Sequence, residues 1–181
     1  MESEEIIKEW ISSDPIRMRA LRLASELNLS DWCIAAGFVG NLVWDKLHKK
    51  ETSTPLNDFD LIYFDPQNIA SMNDRQLELR LKNLTNQPWS VKNQARMHIR
   101  NKDRPYTSTS NAMSYWVEIE TAVGVKLSET GEIELVAPFG IENLFRNTIT
   151  INRKRIKPAD FYKRIESKNW LTQWPKLKVI A

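Results

Sequence analysis

Two carboxylates one residue apart, Asp58 and Asp60, stand at the head of the apolar run Phe59-Asp60-Leu61-Ile62-Tyr63-Phe64. In an extended chain alternate residues face one side, so the two acids project together while Phe59 points into a core. Like charges held that close repel, and a divalent cation is the usual compensation. Magnesium suits the pair, because it takes hard oxygen ligands and Asp is short enough to place them firmly from a strand. Upstream, Ala35-Ala36-Gly37-Phe38-Val39 reads as a strand ending at a glycine before a helix. Glycine there lets backbone N–H groups approach a phosphate, and the helix adds its positive N-terminal dipole. An Asp-x-Asp alone usually just caps a loop. Combined with the glycine turn, it describes a site for a nucleoside triphosphate and its magnesium.

The elements that must position these residues follow from periodicity. Glu4 to Ser12 reads as a short helix, and Asp14-Pro15 opens another whose stripe is Ile16, Ala20, Leu23, Ala24 and Leu27. Trp32 to Ala36 is the first strand. Val39, Leu42, Val43 and Leu47 mark the helix after Gly37. The second strand carries the acidic pair and ends at Asp65-Pro66. Asn73 and Asp74 offer caps for a helix burying Leu77, Leu81 and Leu84, stopped by Asn86-Gln87-Pro88. Trp89 to Asn93, extending toward Met97, is a third strand. A polar loop over Asn101 to Ser110 leads to a short helix around Ala112 to Trp116. Thr121 to Leu127 and Ile133 to Ala137 alternate about Glu129-Thr130-Gly131, a hairpin signal. Ile141 to Phe145 forms a helical turn. Pro158 starts a last helix with Phe161, Ile165 and Lys168 on one face. The order predicts an α+β fold, a mixed sheet of about five strands flanked by helices, in one domain over 1–181.

Composition narrows the classes. No apolar run approaches a membrane span and the acidic start is unlike a signal peptide, so the expected location is cytoplasmic. The single Cys33 lies in an apolar run, which fits a buried, inert thiol. Two His and one Cys leave no ligand set for zinc, and no Gly-x-x-x-x-Gly-Lys loop is present. The seven Trp read as packing residues. Charge is uneven: the first sixty residues are net acidic, whereas 146–181 holds ten Lys or Arg against two acids. Such a basic helical segment can meet phosphates or simply balance the acidic half.

A strand, a glycine turn, a helix and a strand bearing Asp-x-Asp resemble the nucleotidyltransferase superfamily that includes DNA polymerase β and the tRNA CCA-adding enzymes. Longer runs extend the likeness to nearly the whole chain. Ala35-Ala36-Gly37-Phe38-Val39-Gly40-Asn41, Leu56 to Asp65, Val91 to His98, Thr121 to Leu127 and the Trp-x-x-x-Trp-Pro-x-Leu pattern of Trp170 to Leu177 look like a bacterial nucleotidyltransferase-like family within it. The resemblance implies that Gly37 borders the triphosphate and that Asp58 and Asp60 hold one or two magnesium ions. It also implies a third carboxylate; Glu118 and Glu120 share one face if the Thr121 strand begins early, and Glu118 matches an acid of the family. The strand where the superfamily often keeps that acid offers only Asn93. The family's Gly-Phe-Val is followed by Arg, and Gly40 stands there instead.

The expected activity is transfer of NMP from an NTP to an acceptor hydroxyl on RNA, protein or a small molecule. Asp58, Asp60 and Glu118 would be catalytic, and Gly37, Phe38, Asn41 and Arg96 would contact the nucleotide. Two basic residues on a strand face, Arg96 and His98, have solvent exposure as their plain alternative. Rival functions are a nucleotide-binding or regulatory module that kept the fold and lost turnover, and an RNA binder led by the basic C-terminal segment.

Overall fold

The computed structural model describes residues 2–181. Helices α1 (Glu2–Ser12) and α2 (Pro15–Ser25) precede β1 (Cys33–Ala35), α3 (Gly37–Leu47), β2 (Phe59–Tyr63), α4 (Ser71–Thr85) and β3 (Trp89–Asn93). A 3-10 turn at Gln94–Arg96 leads into α5 (Met97–Asn101) and α6 (Thr109–Met113). The hairpin β4 (Gly124–Leu127) and β5 (Ile133–Val136) follows. The chain ends through α7 (Glu142–Phe145), β6 (Thr148–Thr150), α8 (Pro158–Ser167), α9 (Trp170–Gln173) and β7 (Lys178–Ile180).

Five strands form one mixed sheet, the number the sequence predicts, in the order β3-β2-β1-β4-β5. β1 runs antiparallel to both β2 and β4, and β2 runs parallel to β3 through the α4 crossover. Register does the positioning. Ala35 pairs with Asp60 on one side and with Gly124 on the other, so the last residue of β1 lies beside the second acid. Gly124 is required for that closeness: a Cβ there would meet Cys33 Sγ at 2.5 Å. The Cys33 thiol is fully buried and burial pushes its pKa far up, which makes it inert.

The main core joins helices on one side of the sheet to the sheet itself. Phe59 points inward as its alternation requires and stacks edge-on between Phe38 and Trp89, at 5.4 and 5.3 Å. Aromatic pairs of this geometry add about 0.5–1.5 kcal/mol beyond burial. They lock α3 against β2 and β3.

Several boundaries differ from expectation for tertiary reasons. The third strand stops at Asn93, whose side chain caps the following turn by accepting from Ala95 N and donates to the Asp65 and Asn68 carbonyls. Asp74 lies inside α4 rather than capping it. Its buried carboxylate accepts from Tyr63 Oη at 2.6 Å, from Asn93 N at 3.0 Å and from Arg96. Ile16 and Leu84, expected on buried faces, are half exposed, while Arg17 takes the buried place in α2. The β4 strand starts at Gly124, not Thr121, because 117–123 is a turn region that bridges Glu118 to Ile151. Sequence periodicity gave no sign of the parallel pair β6–β7, whose three-residue strands are too short to show a period.

One local feature bears directly on the site. Ala36, between β1 and α3, has φ 58° and ψ −127°, a conformation that disfavours any residue with a Cβ. Its N–H donates to Val123 O and its carbonyl accepts from Val39 and Gly40, so the surroundings hold it there. Strain of this kind costs about 1–3 kcal/mol, and glycine would relieve it. We therefore expect Ala36→Gly to leave the melting temperature unchanged or raise it by up to ~4 °C, the strain relief offsetting glycine's entropy cost. Ala36→Val, β-branched at positive φ, should lower it by several degrees; thermal unfolding followed by circular dichroism decides both.

Candidate active site

Asp58 immediately precedes β2 and Asp60 is its second residue, so the two side chains emerge on one face, at the end of the strand nearest the β1–α3 turn. Both line a cavity of about 250 Å³. Gly37, Gly40 and Asn41, from the first turns of α3, form one wall. Arg164 of α8 and Lys168, the cap residue after it, form another, and Trp44, Trp170 and Trp174 close the far end.

Gly37 begins α3. The N-terminus of α3 has no side-chain cap, and the first N–H groups of a helix have no intrahelical acceptor, which leaves the partly exposed Gly37 amide to a ligand or water. A Cβ on Gly37 would press on the Asn41 amide at 3.1 Å, so glycine here lets Asn41 fold back against the helix start. A Cβ on Gly40 would meet nothing closer than the Glu120 carbonyl at 3.6 Å. Packing therefore does not demand glycine at 40.

The two acids differ. Asp58 is exposed, whereas Asp60 is largely buried. Desolvation first, and the neighbouring Asp58 charge second, push the Asp60 carboxyl up to about 6, against the pull of Lys168, Arg164 and Lys92. The donors are hard carboxylate oxygens aimed into one space, one of them destabilised as an anion and left without a hydrogen-bonding partner among the described residues. That set fits magnesium, which binds through one or two carboxylates and completes its shell with water and phosphate.

A second cavity, of about 280 Å³, abuts the first and shares Ala36, Asp60, Thr121 and Arg164 with it. Lys92, Arg100, Tyr115 and Arg155 line its remaining wall. Asp60 and Arg164 thus stand at the junction of two pockets.

The structure brings together Asp58, Asp60, Gly37 and Asn41. Glu118 reaches the second cavity, but its carboxylate is 1% exposed and spent: Arg164 Nε donates to it at 2.6 Å and Thr121 Oγ1 at 2.9 Å. Glu120 turns to β6 and accepts from Thr148 Oγ1, Thr150 N and Thr150 Oγ1 at 2.7–2.8 Å. Because 117–123 is not a strand, the two glutamates do not share a face, and neither lines the first cavity with the aspartates: among the described residues no three acidic, His or Cys side chains gather as a metal cluster. Phe38, expected to contact the nucleotide, lines neither cavity: it is fully buried, its ring on Phe59 and its carbonyl accepting from Arg17 Nε. Arg96 lines neither cavity; its guanidinium pairs with Asp74 and fastens α4 to the turn after β3. Sequence alone shows Arg164 only as part of the basic C-terminal excess, Lys168 as one face residue of the last helix, Trp44 as a packing residue, and Trp170 and Trp174 as parts of the terminal tryptophan pattern; none of these signals assigns a place in the cavity.

Comparison with known proteins bears on the fold and the family. A nucleotidyltransferase family model matches residues 22–179. An NMR structure described as revealing a CCA-adding enzyme head domain superposes with a TM-score of 0.82 at 30% identity, covering 96% of this chain and 93% of that one. A CCA-adding enzyme complexed with CTP matches with a TM-score of 0.54 at 13% identity, over 94% of this chain and 47% of the other. A tRNA-processing enzyme complex gives 0.54 at 15%, over 88% and 42%. These two share the fold, and the chain spans less than half their length. A search of curated proteins returned no match. The family model over most of the chain and the close agreement with a head domain lead to one conclusion: the chain belongs to the nucleotidyltransferase family.

Proposed function

We propose that this chain is a magnesium-dependent nucleotidyltransferase that moves NMP from an NTP to an acceptor hydroxyl. The observation that carries this reading is the joint placement of Asp58 and Asp60 in one cavity with the α3 N-terminus and the Lys168 and Arg164 cations. When bound, magnesium would neutralise phosphate charge and acidify the attacking hydroxyl. Asp58 and Asp60 would hold it. The free amide at Gly37 and the α3 dipole favour the polyphosphate, and Lys168, which makes no ion pair among the described residues, supplies a full positive charge beside it. Trp44, Trp170 and Trp174 add apolar atoms to the lining, but they are buried against one another and offer little free ring face. The second cavity, meeting the first at Asp60, is the place for the acceptor.

A binder without turnover remains the competing reading, favoured by one observation: two carboxylates, not three, face the first cavity. Calorimetry with each NTP and magnesium detects binding, and pyrophosphate release in the presence of a cell extract as acceptor source detects turnover. We expect release by the wild type, and a loss of at least ~100-fold in Asp58→Asn and in Asp60→Asn with little change in melting temperature. Full release by both variants rules the assignment out.

The Asp60 carboxyl also predicts a pH signature. Its folded-state pKa, about 6, lies above the ordinary aspartate value of 3.8, so the folded protein binds the proton more tightly than the unfolded chain. Stability from this group is complete below pH ~4 and is lost as pH rises to ~6, by about 2–3 kcal/mol. Denaturation in chelator should show that fall in the wild type and not in Asp60→Asn, and saturating magnesium should reduce it. A flat wild-type profile contradicts the desolvated placement.

A further inference from the structure

Arg164 lines both cavities, and its guanidinium is fixed from two sides. Nε donates to Glu118 Oε1 at 2.6 Å, and the guanidinium carbon lies 5.8 Å from the centre of the Trp170 ring. Glu118 is itself anchored, its other oxygen accepting from Thr121 and its backbone bridging to Ile151. The two terminal nitrogens of Arg164 donate to no acceptor among the described residues, and 39% of the side chain stays exposed. A guanidinium tethered through Nε, with its fork open, is arranged to grip a phosphate through two parallel hydrogen bonds.

We propose that Arg164 is a catalytic residue that holds the phosphate passing between the two cavities, and that Glu118 is its positioning residue and not a metal ligand. The assignment rests on the nucleotidyl-transfer reading. In that reaction the acceptor oxygen bonds to the α-phosphorus and its proton passes to water. The bond from phosphorus to the bridging oxygen breaks, and its electron pair leaves with pyrophosphate. Lys168 borders the first cavity alone and serves the nucleotide; Arg164 stands where both substrates meet. Its fork lies where charge grows on the transferring group.

Three measurements test this. Inorganic tripolyphosphate binding in EDTA at low salt should weaken about tenfold in Arg164→Lys, which keeps the charge and loses the fork, and in Glu118→Ala. Charge alone predicts the opposite sign for Glu118→Ala, since removing an anion strengthens anion binding. Glu118→Gln keeps an oxygen for Nε and should stay within about threefold of wild type. Manganese affinity should be unchanged in Glu118→Gln and fall at least tenfold in Asp60→Asn. Pyrophosphate release from ATP should drop about 100-fold in Arg164→Lys and in Glu118→Ala, with no further loss in the double variant. Weakened manganese binding in Glu118→Gln, or full tripolyphosphate affinity in Arg164→Lys, overturns the proposal. If Glu118→Ala fails to fold, the Gln and Lys variants still decide. A wild type that releases no pyrophosphate defeats the transfer reading instead, while the tripolyphosphate result continues to report on the Arg164–Glu118 arrangement.

Discussion

A buried carboxylate in α3 holds the working parts of this molecule in register. Asp45 Oδ1 accepts from Trp174 Nε1 at 2.8 Å and from Thr54 Oγ1 at 2.6 Å, and Oδ2 accepts from Thr54 N at 2.7 Å. Lys50 Nζ adds an ionic contact at 3.6 Å. A carboxylate taken out of water is costly unless its lone pairs are filled, and here they are. Asp45 thus joins α3 and the loop that follows it and delivers Asp58 to the C-terminal stretch after α9, 129 residues further along the chain. Trp174 packs on Trp44 at 5.1 Å and Trp44 on Trp170 at 5.9 Å, so the same junction seats α8 and α9 over the cavity. It acts with the Arg164–Glu118 pair and the buried Phe161 and Ile165 to hold the C-terminal segment beside the acids of β2.

The site is therefore an assembly of opposed local penalties. Asp60 is desolvated beside another anion, Ala36 is held at a backbone conformation that resists a side chain, and the start of α3 keeps its amides uncapped. Each is unfavourable alone and each is aimed at the same space. Core packing supplies the compensation: Phe59 between Phe38 and Trp89 on the sheet side, and the tryptophan cluster on the other. A polyphosphate with its metal would relieve the electrostatic part of these penalties, which ties ligand binding to the stability of this end of the sheet.

Legibility in the sequence followed the range of the interactions. The acidic pair, the glycine turn and the five strands are local patterns with a period, and they could be read directly. The mixed order of the sheet followed from element order and is what the register shows. Other features depend on partners far along the chain. Arg96 looked like a phosphate contact because Asp74, which claims it, is an intrahelical residue that resembled a cap. Spacing alone puts Glu118 and Glu120 on one face, and only the resemblance favours Glu118; in the structure a turn sends Glu118 to α8 and Glu120 to β6. Arg164 is not singled out by the basic excess, and a helical stripe that includes Lys168 does not say which cavity that cation borders. The β6–β7 pair was unreadable because three residues are too few to show alternation.

The position of Arg164 also bears on why Gly40 is tolerated. Gly40 and Arg164 line the same cavity from opposite walls, one on α3 and one on α8. A guanidinium reaching in from α3 would need an anion or a stack to hold it, and the nearest atoms to a Cβ at 40 are a carbonyl oxygen and a leucine methyl. One reaching in from α8 finds both a buried carboxylate and an indole face already in place. Positive charge is therefore oriented from α8, by Glu118 and Trp170. The geometry makes the C-terminal segment part of the site itself and not an appendage to it.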